Sequence, residues 1–187
     1  RLPKVTGKLT AVPPVEKKPA QYRCEAKVTR PGSSDVEDVI TGCDGDNFFV
    51  IDAKNKKAYV DVDPAVLGSF RRTAGALRMG EYGHETPFSD EINGKKQELK
   101  GIEKVGDEEC YRVFVEYSQP GLEADWYFST KDFLPRRVDR ARTDPTSGKK
   151  GGSRLIVTGL ELNPKVDEKA FKLTVPEGFT KVDDFAP

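Results

Sequence analysis

The sequence has no net charge. Its 31 basic and 31 acidic side chains cancel, and no run of like charge stands out, so the electrostatic footprint of a nucleic-acid or anionic-membrane binder is missing. Long apolar runs are also absent: nothing approaches the roughly 20 residues needed to cross a bilayer, and the mean hydropathy is −0.62. Histidine and cysteine are scarce. One histidine, His84, and three scattered cysteines offer no ligand spacing such as CxxC, so neither a metal nor another cofactor is expected. His84 has Glu85, Ser89 and Asp90 near it in sequence, but no serine sits in a nucleophile elbow. Without nucleophile, base and orienting group in one place a hydrolytic triad has no basis, and the chain is expected not to be an enzyme. The glycines at 148–152 lack the strand-to-helix setting and the GKS or GKT ending of a phosphate loop. There is no internal repeat.

What the sequence does contain is alternation. From Cys110 to Arg137, Tyr111, Val113, Val115 and Tyr117 fall on one face of a strand and Arg112, Glu116 and Ser118 on the other, the two-residue period of a half-buried strand. Folding back tightly about Pro120-Gly121 places Val115 opposite Trp126 and Val113 opposite Phe128, so the apolar faces coincide. Further strands are expected over 5–12, 21–30, 36–43, 48–52, 58–62, 96–105, 135–142, 153–162 and 171–175, with TDPTSGKKGGS at 143–153 as a solvated loop. One helix interrupts them. It is capped by Asp63 with Pro64 at its first position, ends near Gly80, and gathers Val66, Leu67, Phe70, Ala74 and Leu77 on one face. PFSDEI at 87–92 reads as a single helical turn. A chain of 187 residues is a natural size for one domain.

The hairpin formed by 21–30 and 36–43, turning at Ser33-Ser34, places Arg30 opposite Glu37, Val28 opposite Val39 and Cys24 opposite Cys43. A Cys24–Cys43 bridge would close a loop of about 20 residues and add roughly 3 kcal/mol, in an oxidising compartment; two buried thiols are the alternative. Cys110 reads as a buried strand thiol.

Three phrases of the sequence, KGIEKVGDEECYRVFVEY (100–117), DWYFSTKDFLPRRVDR (125–140) and LIVTGLELNPKVDEKAFKLTVPEGF (155–179), with CDGDNFFVIDAKNKKAYV (43–60) before them, resemble the superfamily of outer-membrane lipoprotein carriers and sorting proteins, the LolA-like and LolB-like fold. The resemblance spans about residues 5–182. It implies a mainly β (α+β) fold: a curved, open antiparallel sheet, a half-barrel, with a helical cover on its concave face. It further implies a single such domain, trimmed at both ends from a longer envelope protein. The resemblance implies a periplasmic or other cell-envelope protein, and because the chain begins at Arg1 without an initiator methionine a signal peptide is expected to have been removed. The ending PEGFTKVDDFAP resembles variants that precede a thioredoxin-like domain. The helix that usually precedes the first strand of the carriers has no counterpart here.

On that reading the partner is a hydrophobic small molecule, lipid or lipoprotein acyl chain. The candidate lining is Val66, Leu67, Phe70 and Leu77 from the helix with Tyr111, Val113, Val115, Trp126 and Phe128 from the sheet. Each of these serves equally as core, where burying a large side chain contributes about 1.5–3 kcal/mol with or without a ligand. A sensor or scaffold with a filled concavity and a protein partner, such as a fused redox domain, is the alternative function. Arg136, Arg137, Arg140 and Arg142 form the densest basic cluster, readable as a lipid-phosphate or acidic-partner site or as a solvated face cross-paired with Glu and Asp.

Overall fold

The computed structural model describes residues 2–13, 20–63, 71–83 and 86–182. In chain order the strands are β1 (Lys4–Val12), β2 (Gln21–Thr29), β3 (Val36–Cys43), β4 (Phe48–Asp52), β5 (Lys57–Asp61), β6 (Lys96–Val105), β7 (Glu108–Glu116), β8 (Leu122–Ser129), β9 (Pro135–Thr143), β10 (Lys150–Ile156) and β11 (Thr180–Val182). Helix α1 is Arg71–Leu77 and the one-turn helix α2 is Ser89–Ile92. The fold is mainly β, and the strands form two open sheets rather than the single expected one, ordered β1-β2-β3-β4-β5-β11 and β10-β9-β8-β7-β6. The division falls where the alternating pattern lapses, between β5 and β6. By their contacts residues 1–79 with 165–187 form one compact unit and residues 80–164 another.

In the first unit β2 shows why the sheet forms. Cys24, Ala26 and Val28 are buried while Glu25 and Lys27 are exposed, so one face is core and the other solvent. Leu77 of α1 packs with Val5, Leu9 and Tyr22 against Cys24 and Ala26. The expected helix began at Asp63, but residues 64–70, with Val66, Leu67 and Phe70, lie outside the described residues. Its described end comes at Leu77, where the Arg78 N–H donates to the Gly75 carbonyl and tightens the last turn. Val50 and Tyr59 make a second cluster with Tyr22, Phe48 and Val182. That contact docks β11 parallel to β5, with Val182 beside Tyr59.

The strand expected at 171–175 is absent. Asp167 instead accepts the Lys169 N–H, caps a 3-10 turn over Glu168–Phe171 and sinks Phe171 to 1% exposure as a single anchor. The strand that joins the sheet comes later, at 180–182. β10 begins three residues earlier than the sequence suggested. The Asp144 carboxylate gathers the Thr146 and Ser147 N–H groups and tightens the loop before it.

Both hairpin registers differ from the sequence reading by two residues, for one reason. Pro31-Gly32 and Pro120-Gly121 each occupy the centre of a type II turn: Gly32 and Gly121 have φ of +80° and +75°, and the Ser33 and Leu122 N–H groups donate to the Arg30 and Gln119 carbonyls. Type II geometry does not match strand twist, so each turn sits inside a longer loop that shifts the pairing. Cys24 therefore pairs with Thr41, and Cys43 with Tyr22. Likewise Val113 pairs with Trp126, and Val115 with Ala124. Arg30 and Glu37 still meet through two hydrogen bonds of 3.1 Å.

The slip separates the candidate bridge, and Cys24, Cys43 and Cys110 are all free and buried. Burial pushes the Cys24 thiol up to about 11, and burial likewise raises Cys43 and Cys110, so the reactive thiolate is scarce at neutral pH. Iodoacetamide at pH 7 is expected to leave the native protein unlabelled over minutes. It should label three thiols once the chain is unfolded without reductant; a mass showing one label after unfolding would restore the bridge.

Candidate functional site

The second unit presents two unlike faces. On one, Arg112 forks onto Asp125 at 2.8 and 3.0 Å and reaches Glu103 at 2.8 Å. Asp139 accepts from Arg137 and, at 2.6 and 2.9 Å, from Arg154. Arg136, displaced by an irregularity in the pairing of β8 with β9, binds Glu108 at 2.8 Å and Asp132 at 2.6 Å. Three of the four arginines of the basic cluster are thus paired with carboxylates, Arg140 included through Glu81; Arg142 is exposed.

These pairs set an acid sensitivity. Hydrogen bonds from Arg136 and Ser129 hold Glu108 below its ordinary range, and Arg136 does the same for Asp132. Burial pushes Asp139 up, but Arg137 and Arg154 outweigh it and the net shift is downward. A carboxylate whose folded pKa is depressed contributes stability above its unfolded value, about 4, and loses it as pH falls through the lower folded value. The melting temperature is accordingly expected to be level from pH 7 to 5 and to drop toward pH 3; a level profile down to pH 3 would show the pairs to be energetically idle.

The opposite face is apolar. Trp126 on β8 lies between Val113 on β7 and Val138 on β9 and is 0% exposed. Phe88 is set onto it from outside the sheet, with ring centroids 5.2 Å apart and the planes at 77°. Phe88 also meets Phe128 at 5.6 Å and Tyr82 at 5.4 Å, edge to face. Its backbone is left-handed, with φ 61° and ψ 22°, a conformation costing a bulky residue roughly 1–3 kcal/mol. The three ring contacts oppose that cost at roughly 0.5–1.5 kcal/mol each.

Between these rings lies a recess of about 180 Å³ lined by Phe88, Glu91, Ile92, Val113, Val115, Trp126 and Phe128. Glu91 is its one ionisable wall and is 9% exposed. The Trp126 indole N–H donates to the Tyr117 oxygen at 3.2 Å, and the Tyr117 hydroxyl donates to Glu91 at 2.8 Å. Burial first, with the bond to Glu91 adding, raises the Tyr117 hydroxyl far above its ordinary range, so it remains a donor. The Gln97 amide fastens the end of α2 by donating to the Glu91, Ile92 and Gly94 carbonyls at 3.0, 3.2 and 2.8 Å. Behind Trp126, the Arg140 guanidinium lies 5.2 Å from the ring centroid and binds Glu81 at 2.6 Å.

Of the residues proposed from sequence as lining, the structure brings together Val113, Val115, Trp126 and Phe128. Tyr111 instead stacks on the exposed Phe133, with centroids 6.2 Å apart. Leu77 belongs to the first unit's core, and Val66, Leu67, Phe70 and His84 lie outside the described residues. Phe88, Glu91 and Ile92 were not anticipated. PFSDEI was anticipated as a helical turn, but Phe88 lies before that turn in a left-handed conformation, so helical spacing carried no signal for its placement. Among the described residues no group of three or more His, Cys, Asp or Glu converges as a metal site requires. The sequence matches no family model and no curated protein.

Proposed function

We infer that this protein is a non-enzymatic binder of a hydrophobic ligand, a lipid or lipoprotein acyl chain, in the cell envelope, and that the recess over Trp126 receives part of that ligand. The observation that carries the reading is an apolar recess whose floor and wall come from three elements, β7, β8 and α2 with its capping Phe88. The resemblance of 100–117, 125–140 and 155–179 to the lipoprotein carriers supports the ligand class and the compartment, and with them a half-barrel whose concave face is helically covered. At about 180 Å³ the recess is smaller than the roughly 300–1,000 Å³ of sites that enclose a whole small molecule. It suits the end of one chain. The same small volume favours the second reading, a scaffold whose concavity is filled by side chains and whose partner is a protein such as a fused redox domain.

Trp126 is the chain's only tryptophan, which makes the recess directly observable. Protein from an envelope-containing host would be weighed by native mass spectrometry and its organic extract analysed for lipid, and the stripped protein titrated with brominated fatty acyl chains. The expected result is an acyl adduct together with quenching of Trp126 fluorescence. Bare protein whose emission is unchanged by any acyl chain would overturn the ligand reading in favour of the scaffold.

A further inference from the structure

Three prolines among the described residues are followed directly by a residue with positive φ: Gly32, Phe88 and Gly121. All three stand in turns closed in the same way, the Ser89 N–H donating to the Thr86 carbonyl at 3.3 Å as the Ser33 and Leu122 N–H groups donate to theirs. That position of a type II turn requires positive φ and is normally glycine. At the third turn the chain places a phenylalanine there, and its ring lines the recess. In a type I turn, which equally accepts proline before it, the same residue takes a negative φ open to any side chain. The two turns differ by rotation of their central peptide, here the one joining Pro87 to Phe88. Local preference therefore favours type I, and what opposes it is tertiary: the Phe88 ring stands edge-on to Trp126, Phe128 and Tyr82. Two arrangements compete at one residue.

We propose that Phe88 is a gate: rotation of the Pro87–Phe88 peptide lifts its ring off Trp126 and Phe128, and the chain of an apolar ligand takes its place on them. The inference rests on the reading of the recess as an apolar ligand site and adds how that site opens. Trp126 and Phe128 are stacked, with centroids 5.8 Å apart and planes at 14°, so the departing ring uncovers two adjoining apolar surfaces. The ligand replaces the ring contacts that are given up, and the turn gains its preferred backbone. Opening also adds the room of a phenyl ring to a recess of about 180 Å³, toward the roughly 300 Å³ at which sites begin to enclose a whole molecule. The hinge lies in solvent, since Thr86 and Pro87 are exposed. Beyond it α2 stays anchored, because the Phe88 carbonyl, which the rotation leaves in place, accepts the Ile92 N–H at 2.9 Å, and the Gln97 amide holds the end of the helix.

NMR of the wild-type protein tests this, because the ring protons of the only tryptophan are assigned without ambiguity. Nuclear Overhauser effects between the Phe88 and Trp126 rings are expected in the free protein. Dodecanoate should remove them and bring effects from its own chain to Trp126. Phe88→Ala has no ring to displace and should bind dodecanoate at least about fivefold more tightly, the factor by which a closed state some four-fifths populated lowers affinity. Chain-to-Trp126 effects alongside undiminished Phe88-to-Trp126 effects would make Phe88 a fixed wall, and so would weaker binding by the alanine variant. Either result overturns the gate and leaves the ligand site standing. The absence of any effect from dodecanoate to Trp126 overturns both.

Discussion

Trp126→Ala is expected to lower the unfolding free energy by about 3–5 kcal/mol, the cost of deleting a large aromatic from a core, against a total stability of roughly 5–15 kcal/mol for a typical domain. The ring is 0% exposed and shared by several neighbours. Phe88 loses an edge-to-face contact at 5.2 Å and Phe128 a stacked one at 5.8 Å. Arg140 loses the ring beneath its guanidinium, and Tyr117 loses its indole donor. Truncation also merges the space of the ring with the recess beside it, so the void is larger than the side chain alone would leave, and cavity cost grows with volume. Trp126→Phe keeps most of the ring and removes the N–H, for about 1 kcal/mol from the lost hydrogen bond and a smaller volume penalty. Urea unfolding followed by far-UV circular dichroism measures both, because each variant lacks the only tryptophan. A cost below about 1 kcal/mol for the alanine variant, well short of core values, would mean that the ring is not sealed by Phe88 and the sheet.

How far the sequence reaches is clear from these same residues. The strands were legible from β-rich runs bounded by turn residues: 36–43, 48–52 and 96–105 were anticipated with the bounds β3, β4 and β6 have, although β4 is buried on both faces and β6 is exposed almost throughout. The faces were legible as well, which is why Val113, Val115, Trp126 and Phe128 were grouped before their partners were known. Register was not. It depends on where a loop places its turn, and a two-residue slip moves every partner while leaving every face unchanged, so periodicity cannot detect it. The candidate disulfide was lost to that slip. The rest of the site escaped for another reason: Glu91 meets Tyr117 across 26 residues of chain, and Phe88 reaches Trp126 only because its backbone adopts a left-handed conformation that propensity disfavours. Local rules fail where tertiary contacts outweigh them, and here that place is the recess.

Gly121→Ala is expected to cost roughly 2–5 kcal/mol, and Gly32→Ala only about 1–2, although the two glycines follow a proline in the same kind of turn. Their shared cost is the left-handed backbone, φ +75° and +80°, worth about 1–2 kcal/mol against any L side chain. Their surroundings differ. A Cβ on Gly32 meets nothing within 4 Å, whereas on Gly121 it would stand 2.2 Å from the Thr143 carbonyl oxygen. That oxygen cannot withdraw freely, because the Thr143 N–H is held to the Gly121 carbonyl at 2.7 Å, so the loop and the end of β9 must separate, a distortion comparable to overpacking at about 1–3 kcal/mol. Subtracting one variant from the other in urea unfolding cancels the backbone cost and leaves the contact. A difference near zero would show that the 118–121 loop yields without disturbing β9. A difference above about 1 kcal/mol, the lower end of the overpacking range, would show that the turn after β7 is held against the end of β9 at that contact.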